Sequence, residues 1–235
     1  MEARIAIAKV GKYASSGSGD TIEIIERPRG GISVVLADGQ SSGRGAKWIS
    51  TLVVRKVISL LSEGVRDGAA ARAASDSLFT ERGGKVSAAL NILSVDMLSR
   101  TLVITRNNPA PALLARGDQI TRFDEYVHPV GLYRDTRPVI TEVPIERNLT
   151  ALVFSDGLVH AGSRTGSSMD VEACLQDMLR QGISDPQYIA DSLLEQAVRL
   201  DQGRPVDDIS VAVLCITPLQ GDDVRRMSAR LPLGF

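Results

Sequence analysis

The chain has 235 residues, 43% of them hydrophobic and 23% charged, with a formal net charge of −1. That length and balance fit a folded globular protein with a sizeable core and exclude a wholly disordered chain. The charge leaves no field to draw in nucleic acid or an anionic membrane, and no apolar run is long enough to span a bilayer.

The N-terminus, MEARIAIAKVGKY, begins acidic and alternates small or apolar with polar residues. It predicts a strand over residues 3–10 and not a secretory signal. TIEIIER (21–27) reads as a second strand, and PRGG as a turn into the apolar run ISVVLAD (32–38). GAKWISTLVVRKVISLLSEG (45–64) carries apolar residues at helical spacing, with Gly64 as its stop and Trp48 as a packing residue. RDGAAARAASDSLFTER (66–82) is an alanine-rich helix that Asp67 is placed to cap. The period then changes. KVSAALNILSVD, TLVITRNN, PALLARGD and QITRFDEY are short strands divided by Asx, Gly and Pro signals, and 124–138 reads as a long surface loop. VITEVPIE and LTALVFSD resume the strands. SMDVEACLQDMLRQG and DPQYIADSLLEQAVRL are amphipathic helices, and DDISVAVLCIT is the last strand.

Helices in pairs between runs of strands predict an α+β fold, a four-layer α-β-β-α sandwich of two antiparallel sheets flanked by helix pairs. With no repeat and no linker-like break, a single domain over 1–218 and an irregular tail over 219–235 are expected. Cys174 and Cys215 both lie in apolar-periodic segments, so both are expected reduced and buried, in a cytoplasmic protein.

Three apolar strands meet an aspartate at one end: VVLADG at Asp38, LVFSDG at Asp156, and DDISVAV at Asp207 and Asp208. By strand alternation Asp38 shares a face with Ile32, Val34 and Leu36, Asp156 with Leu152 and Phe154, and Asp207 with Ile209, Val211 and Val213. Carboxylates gathered at the rim of a core repel one another unless a cation or shared protons compensate. Hard divalent ions take carboxylate and carbonyl oxygens, and a glycine after the acid leaves its carbonyl approachable. An Asp-Gly pair is also simply a good turn, and the residues alone leave both readings open.

SGD (18–20), ADGQSSG (37–43), FSDGLVHAG (154–162) and DDISVAVL (207–214) resemble, in order, the motifs of the metal-dependent protein phosphatases. That is the protein phosphatase 2C (PP2C) superfamily, and within it the bacterial SpoIIE-like branch. RNNPAPALL (106–114) and HPVGL (128–132) look like that branch's connecting segments, so the likeness runs from about residue 10 to residue 217. The compact chain is most similar to the stand-alone members of the branch. The resemblance implies two Mn²⁺ or Mg²⁺ ions. Asp38 would bridge them, Gly39 would lend its carbonyl, Asp156 and Asp207 would complete one ion, and Asp20 would serve the other directly or through water. Asp38, Asp156 and Asp207 are thereby the candidate catalytic residues. The implied reaction is hydrolysis of phosphoserine or phosphothreonine on a protein, such as a STAS-domain regulator in a bacterial partner-switching pathway.

The chain departs from the family pattern at Gln40 and Ser41, where a hydrophobic residue and a glycine are common. It departs again at His160, often an acid, and at Asp208, often asparagine. Adjacent strand residues point to opposite faces, so Asp207 is assigned to the metal and Asp208 to supporting hydrogen bonds. His160 is placed in the same supporting role, as the better proton-donor candidate, while His128 has no ligand spacing. Arg44 is the candidate substrate-binding residue. A nucleotide site is excluded because GQSSGRGAK matches neither glycine-rich nucleotide motif. The rival reading is a catalytically silent phosphatase fold acting as a binding module.

Overall fold

The computed structural model describes residues 1–15 and 17–233. Its strands and helices run β1 (Glu2–Val10), β2 (Asp20–Glu26), β3 (Gly31–Gly39), α1 (Gly43–Ser62), α2 (Asp67–Arg82), β4 (Ala88–Asp96), β5 (Thr101–Asn107), β6 (Ala112–Arg116), β7 (Gln119–Phe123), β8 (Val139–Pro144), β9 (Leu149–Phe154), α3 (Asp156–His160), α4 (Val171–Arg180), α5 (Pro186–Leu200) and β10 (Ile209–Thr217). Two five-stranded sheets result, ordered β1-β10-β9-β6-β7 and β2-β3-β4-β5-β8. Every pairing within them is antiparallel. No helix or strand follows Thr217 among the described residues, and none of the helices described is long and apolar enough to cross a membrane.

The central strands read as continuous apolar runs because both of their faces are covered. On β3, Val35 and Ala37 pack under Ile49, Val53 and Val57 of α1 and Ala70 and Ala74 of α2. Val34 faces the opposite way, into a core between the sheets with Leu93, Val153, Ala212 and Leu214. On β9 and β10, Leu152, Phe154, Val211 and Val213 pack under Leu175 of α4 and Ile189 and Leu193 of α5. Full burial of each such side chain contributes roughly 1.5–3 kcal/mol. The α1 stripe is Ala46, Ile49, Ser50, Val53, Val54, Val57 and Leu61, the spacing of one helical face. The edge strand β7 alternates toward solvent and is correspondingly polar.

Three local expectations fail for identifiable reasons. Trp48 lies off the α1 stripe; it is 41% exposed, with the Arg82 guanidinium 4.0 Å from its ring centroid. Asp67 does not cap α2 but is its first residue, because its carboxylate is taken by buried Arg27 and by the Ser94 hydroxyl. Strand β9 stops at Phe154, and Asp156 instead opens α3. A fourth expectation fails in part: both cysteines are unpaired and Cys215 is buried, but Cys174, on the amphipathic α4, is only half-buried.

Candidate functional site

Asp20 opens β2 and Asp38 stands next to the end of β3, and the two are direct cross-strand partners. By alternation they share the inter-sheet face with Ile22, Ile32 and Val34, so two like charges stand opposed at the margin of a dry core. Asp20 is fully buried, and neither carboxylate oxygen has a hydrogen-bond partner. Burial pushes its carboxyl up to about 6; Asp208 adds to the rise, while the nearby Ser155 and Ser210 hydroxyls and the Lys9 ammonium oppose it. Burial likewise raises Asp38, to about 9, reinforced by Asp20, Asp156 and Asp207. Asp20, Asp156 and Asp207 therefore all lie within electrostatic reach of Asp38. A cation among them would restore the ionised forms.

Asp156 and Asp207 reach this place by a route that strand alternation does not describe. Leu152 and Phe154, with Ile209, Val211 and Val213, belong to the helix-covered core, not to the inter-sheet core where Asp38's neighbours lie. Continued in register, both acids would fall on the face opposite to Asp38. They act on Asp38 from outside any strand: β9 has already ended before Asp156, which opens α3, and β10 has not begun at Asp207. The shared bulky face is thus overturned as the reason for grouping the three, although Asp156 and Asp207 both act electrostatically on Asp38.

The two Asp-Gly glycines are needed for close approach. A Cβ on Gly39 would lie 2.1 Å from the Ala46 carbonyl oxygen in the first turn of α1, and one on Gly157 would lie 2.1 Å from that of Asp208. Buried Asp208 accepts hydrogen bonds from the Lys12 amide at 2.9 Å and the Gly19 amide at 2.7 Å, tying the segment before Asp20 to the start of β10. His160 Nδ1 is 3.9 Å from Asp156 Oδ2, with both side chains half-exposed. Arg44 is exposed near the start of α1, beside a cavity of about 300 Å³ also lined by Gly17, Gly43, Lys47 and Trp48.

Two cations escaped the sequence reading. Lys9 Nζ donates to the Asp20 carbonyl at 2.6 Å, and Lys47 Nζ donates to the same oxygen at 2.8 Å and to Thr21 Oγ1 at 2.9 Å. Burial and the neighbouring Lys47 lower the Lys9 ammonium, while Asp20, Asp208 and Asp38 oppose that shift. A signal for Lys9 was available: it ends the Ile5–Ile7 stripe that faces the inter-sheet core.

The metal donors the cluster offers are oxygens: four carboxylates, with Gly39 beside Asp38 packed against α1. That set suits hard divalent cations such as Mn²⁺ or Mg²⁺, and the buried, unpartnered oxygens of Asp20 are what such an ion would satisfy. Among the described residues, no three acidic, histidine or cysteine side chains are drawn together tightly enough to enclose an ion as they stand.

Residues 28–217 match the family model described as stage II sporulation protein E (SpoIIE). The SpoIIE proteins of Priestia megaterium and Bacillus subtilis (strain 168) are 20% identical over 208 residues and 22% identical over 199 residues. Those alignments cover 88% and 85% of this chain but only 35% and 24% of the relatives. Among solved structures, the PP2C phosphatase domain of Bacillus subtilis SpoIIE with a fragment of its regulatory domain superposes with a TM-score of 0.79 at 20% identity, covering 94% of this chain and 64% of that one. RsbX in complex with magnesium gives 0.70 at 14% identity, covering 90% and 94%. The catalytic domain of the serine/threonine phosphatase PstP with two manganese ions gives 0.68 at 17% identity, covering 92% and 99%. At these identities the structural likeness establishes a shared fold, the two-sheet sandwich with flanking helices.

Proposed function

The chain belongs to the SpoIIE family, and from that premise we propose that it is a Mn²⁺- or Mg²⁺-dependent serine/threonine protein phosphatase of the PP2C type. Asp38 would be the carboxylate shared by two ions, with the Gly39 carbonyl and Asp20 serving one and Asp156 and Asp207 the other. Bound there, the ions supply charge neutralisation for a phosphoryl group and an acidified water as nucleophile. Asp38, Asp156 and Asp207 fix where that charge sits. Asp208 holds the segment before Asp20 in place through two backbone amides. His160, beside Asp156 and open to solvent, is assigned to relay a proton toward the leaving serine or threonine oxygen. Arg44, at the cavity beside the cluster, is assigned to substrate contact.

The single observation that carries this reading is Asp20: a fully buried carboxylate with no partner, facing a second carboxylate across a strand pair. Such an arrangement is costly in a protein that never binds a cation. The substrate we infer, by resemblance to the branch, is a cytoplasmic phosphoprotein, a STAS-domain regulator of partner switching. Hydrolysis of p-nitrophenyl phosphate and of a phosphoserine peptide, with and without Mn²⁺, tests the chemistry. EDTA should abolish turnover and added Mn²⁺ restore it. Full activity in metal-free buffer would overturn the mechanism, and Mn²⁺ binding with no hydrolysis of either substrate would favour the silent binding module.

A further inference from the structure

Helix α5 is followed at once by Asp201, a buried carboxylate that the proposed chemistry does not use. Its Oδ1 accepts a hydrogen bond from the Gly162 amide at 2.8 Å, and its Oδ2 accepts one from the Val206 amide at 3.0 Å. Gly162 lies just past α3, the helix that Asp156 opens, and Val206 immediately precedes Asp207. One side chain therefore joins the segment that follows α3, the helix opened by Asp156, to the residue before Asp207. Gly162 cannot be replaced easily at this junction: its φ is +79°, and a Cβ there would lie 1.8 Å from the Ser167 carbonyl oxygen.

Helix stability gives no reason for an acid at this position. Asp201 caps the C-terminus of α5, where the carbonyl end of the helix dipole disfavours negative charge. Its two charge-assisted bonds offset both that and the cost of burial, and both go to backbone outside α5. On the other flank of the acids, the β9–β10 junction is closed by the Ser155 amide on the Ser210 carbonyl and the Ser210 amide on Ser155 Oγ. Without Asp201 the segments would be joined through that flank, where Ser155 Oγ also donates to the Asp208 carbonyl and Gly157 packs on it, and through the Thr165 hydroxyl, which donates to the Gly162 and Leu200 carbonyls.

We propose that Asp201 is a positioning residue for the metal centre, fixing the α3 segment that carries Asp156 against the loop that carries Asp207. The proposal rests on the reading that Asp156 and Asp207 serve the same ion. Neither acid is held by a strand ladder, so their separation is set by whatever ties α3 to the loop before β10. Asp201 contributes that tie without touching ion or substrate.

The test is Mn²⁺ affinity, measured on the full chain from loss of the free-ion signal in electron paramagnetic resonance, beside thermal melting in EDTA. Asp201→Asn is nearly isosteric but keeps only one acceptor oxygen, and Asp201→Ala keeps none. The cavity of about 400 Å³ that Asp201 borders with Arg164, Thr165, Gln202, Arg204 and Val206 leaves room for either change. Asp67→Asn, which weakens the buried contact to Arg27 at the start of α2, serves as the destabilised control. Affinity should fall about tenfold or more in Asp201→Asn and further in Asp201→Ala, while Asp67→Asn lowers the melting temperature and keeps wild-type affinity. Wild-type affinity in Asp201→Asn, or an equal loss in Asp67→Asn at matched melting temperature, would overturn the proposal. A wild-type chain that binds no Mn²⁺ would overturn the metal reading itself, and is distinguished because the unmutated protein fails.

Discussion

Asp20 and Asp38 stand opposite one another in a strand ladder, whereas Asp156, at the start of α3, and Asp207, in the loop before β10, act on Asp38 from outside any strand. In the first pair, backbone hydrogen bonding fixes the spacing, so the side chains are delivered together whatever their charge. In the second pair the spacing depends on side chains bonded to distant backbone: Asp201 on Gly162 and Val206, Asp208 on Lys12 and Gly19, and Ser155 on Ser210. The ladder pair is robust and electrostatically frustrated. The second pair is less frustrated and more fragile.

The sharpest way to break this contrast is Asp38→Asn, since Asp38 faces every other acid in the cluster. It should lower kcat by more than about a hundredfold with saturating Mn²⁺ and leave the circular dichroism spectrum unchanged. Near-wild-type turnover would remove Asp38 from the bridging role.

Next in size, Asp207→Asn should raise the Mn²⁺ concentration for half-maximal activity by at least about tenfold. Asp20→Asn should be milder, with turnover partly rescued at high Mn²⁺, because its ladder position survives the loss of charge. The comparison inverts if Asp20→Asn proves the harder to rescue.

The pH dependence of stability separates the pairs without any assay of turnover. Asp38 has a folded-state value of about 9 against an ordinary 3.8, so between those values the folded protein holds a proton that the unfolded chain has released. The metal-free protein should therefore lose stability progressively from about pH 4 to about pH 9, with Asp20 contributing over the lower part, up to about 6. Melting in EDTA should show that slope in the wild type and a flatter one in Asp38→Asn. An unchanged slope would mean that Asp38 is not the frustrated group.

The smallest effect on metal use is expected for Asp208→Asn. Loss of one of its two charge-assisted bonds should lower the melting temperature by several degrees while leaving the Mn²⁺ requirement close to that of the wild type. A larger metal defect than in Asp207→Asn would exchange the roles of the two residues.

Much of the layered architecture was legible because each central strand is apolar on both faces and each long helix carries one stripe. The acids were legible as motifs. Their faces were not, since alternation holds only within a strand and Asp156 and Asp207 lie just beyond one. Asp201 left no signal at all, because its partners are backbone amides, which have no sequence signature, and Gly162 is far away along the chain. Lys9 was half visible, as a charge at the end of an apolar stripe. What lay beyond the sequence was the main-chain chemistry of the turns.

Strand β10 lies between β1 and β9, with Thr217 paired to Glu2 and all nine of its residues buried. The other sheet draws on β2 to β5 and β8, which end at Pro144. During synthesis that sheet and its two helices can assemble first, while β1 waits without a partner. Until the last strand arrives, the inward faces of Val34, Leu93 and Ile104 lack the side chains of Ala212, Leu214 and Ile216 that complete their core. Such long-range closure slows folding and prolongs the exposure of open strand edges. A chain halted before Ile209 should accumulate as an aggregating intermediate, bound by chaperones, and not as a partly active enzyme.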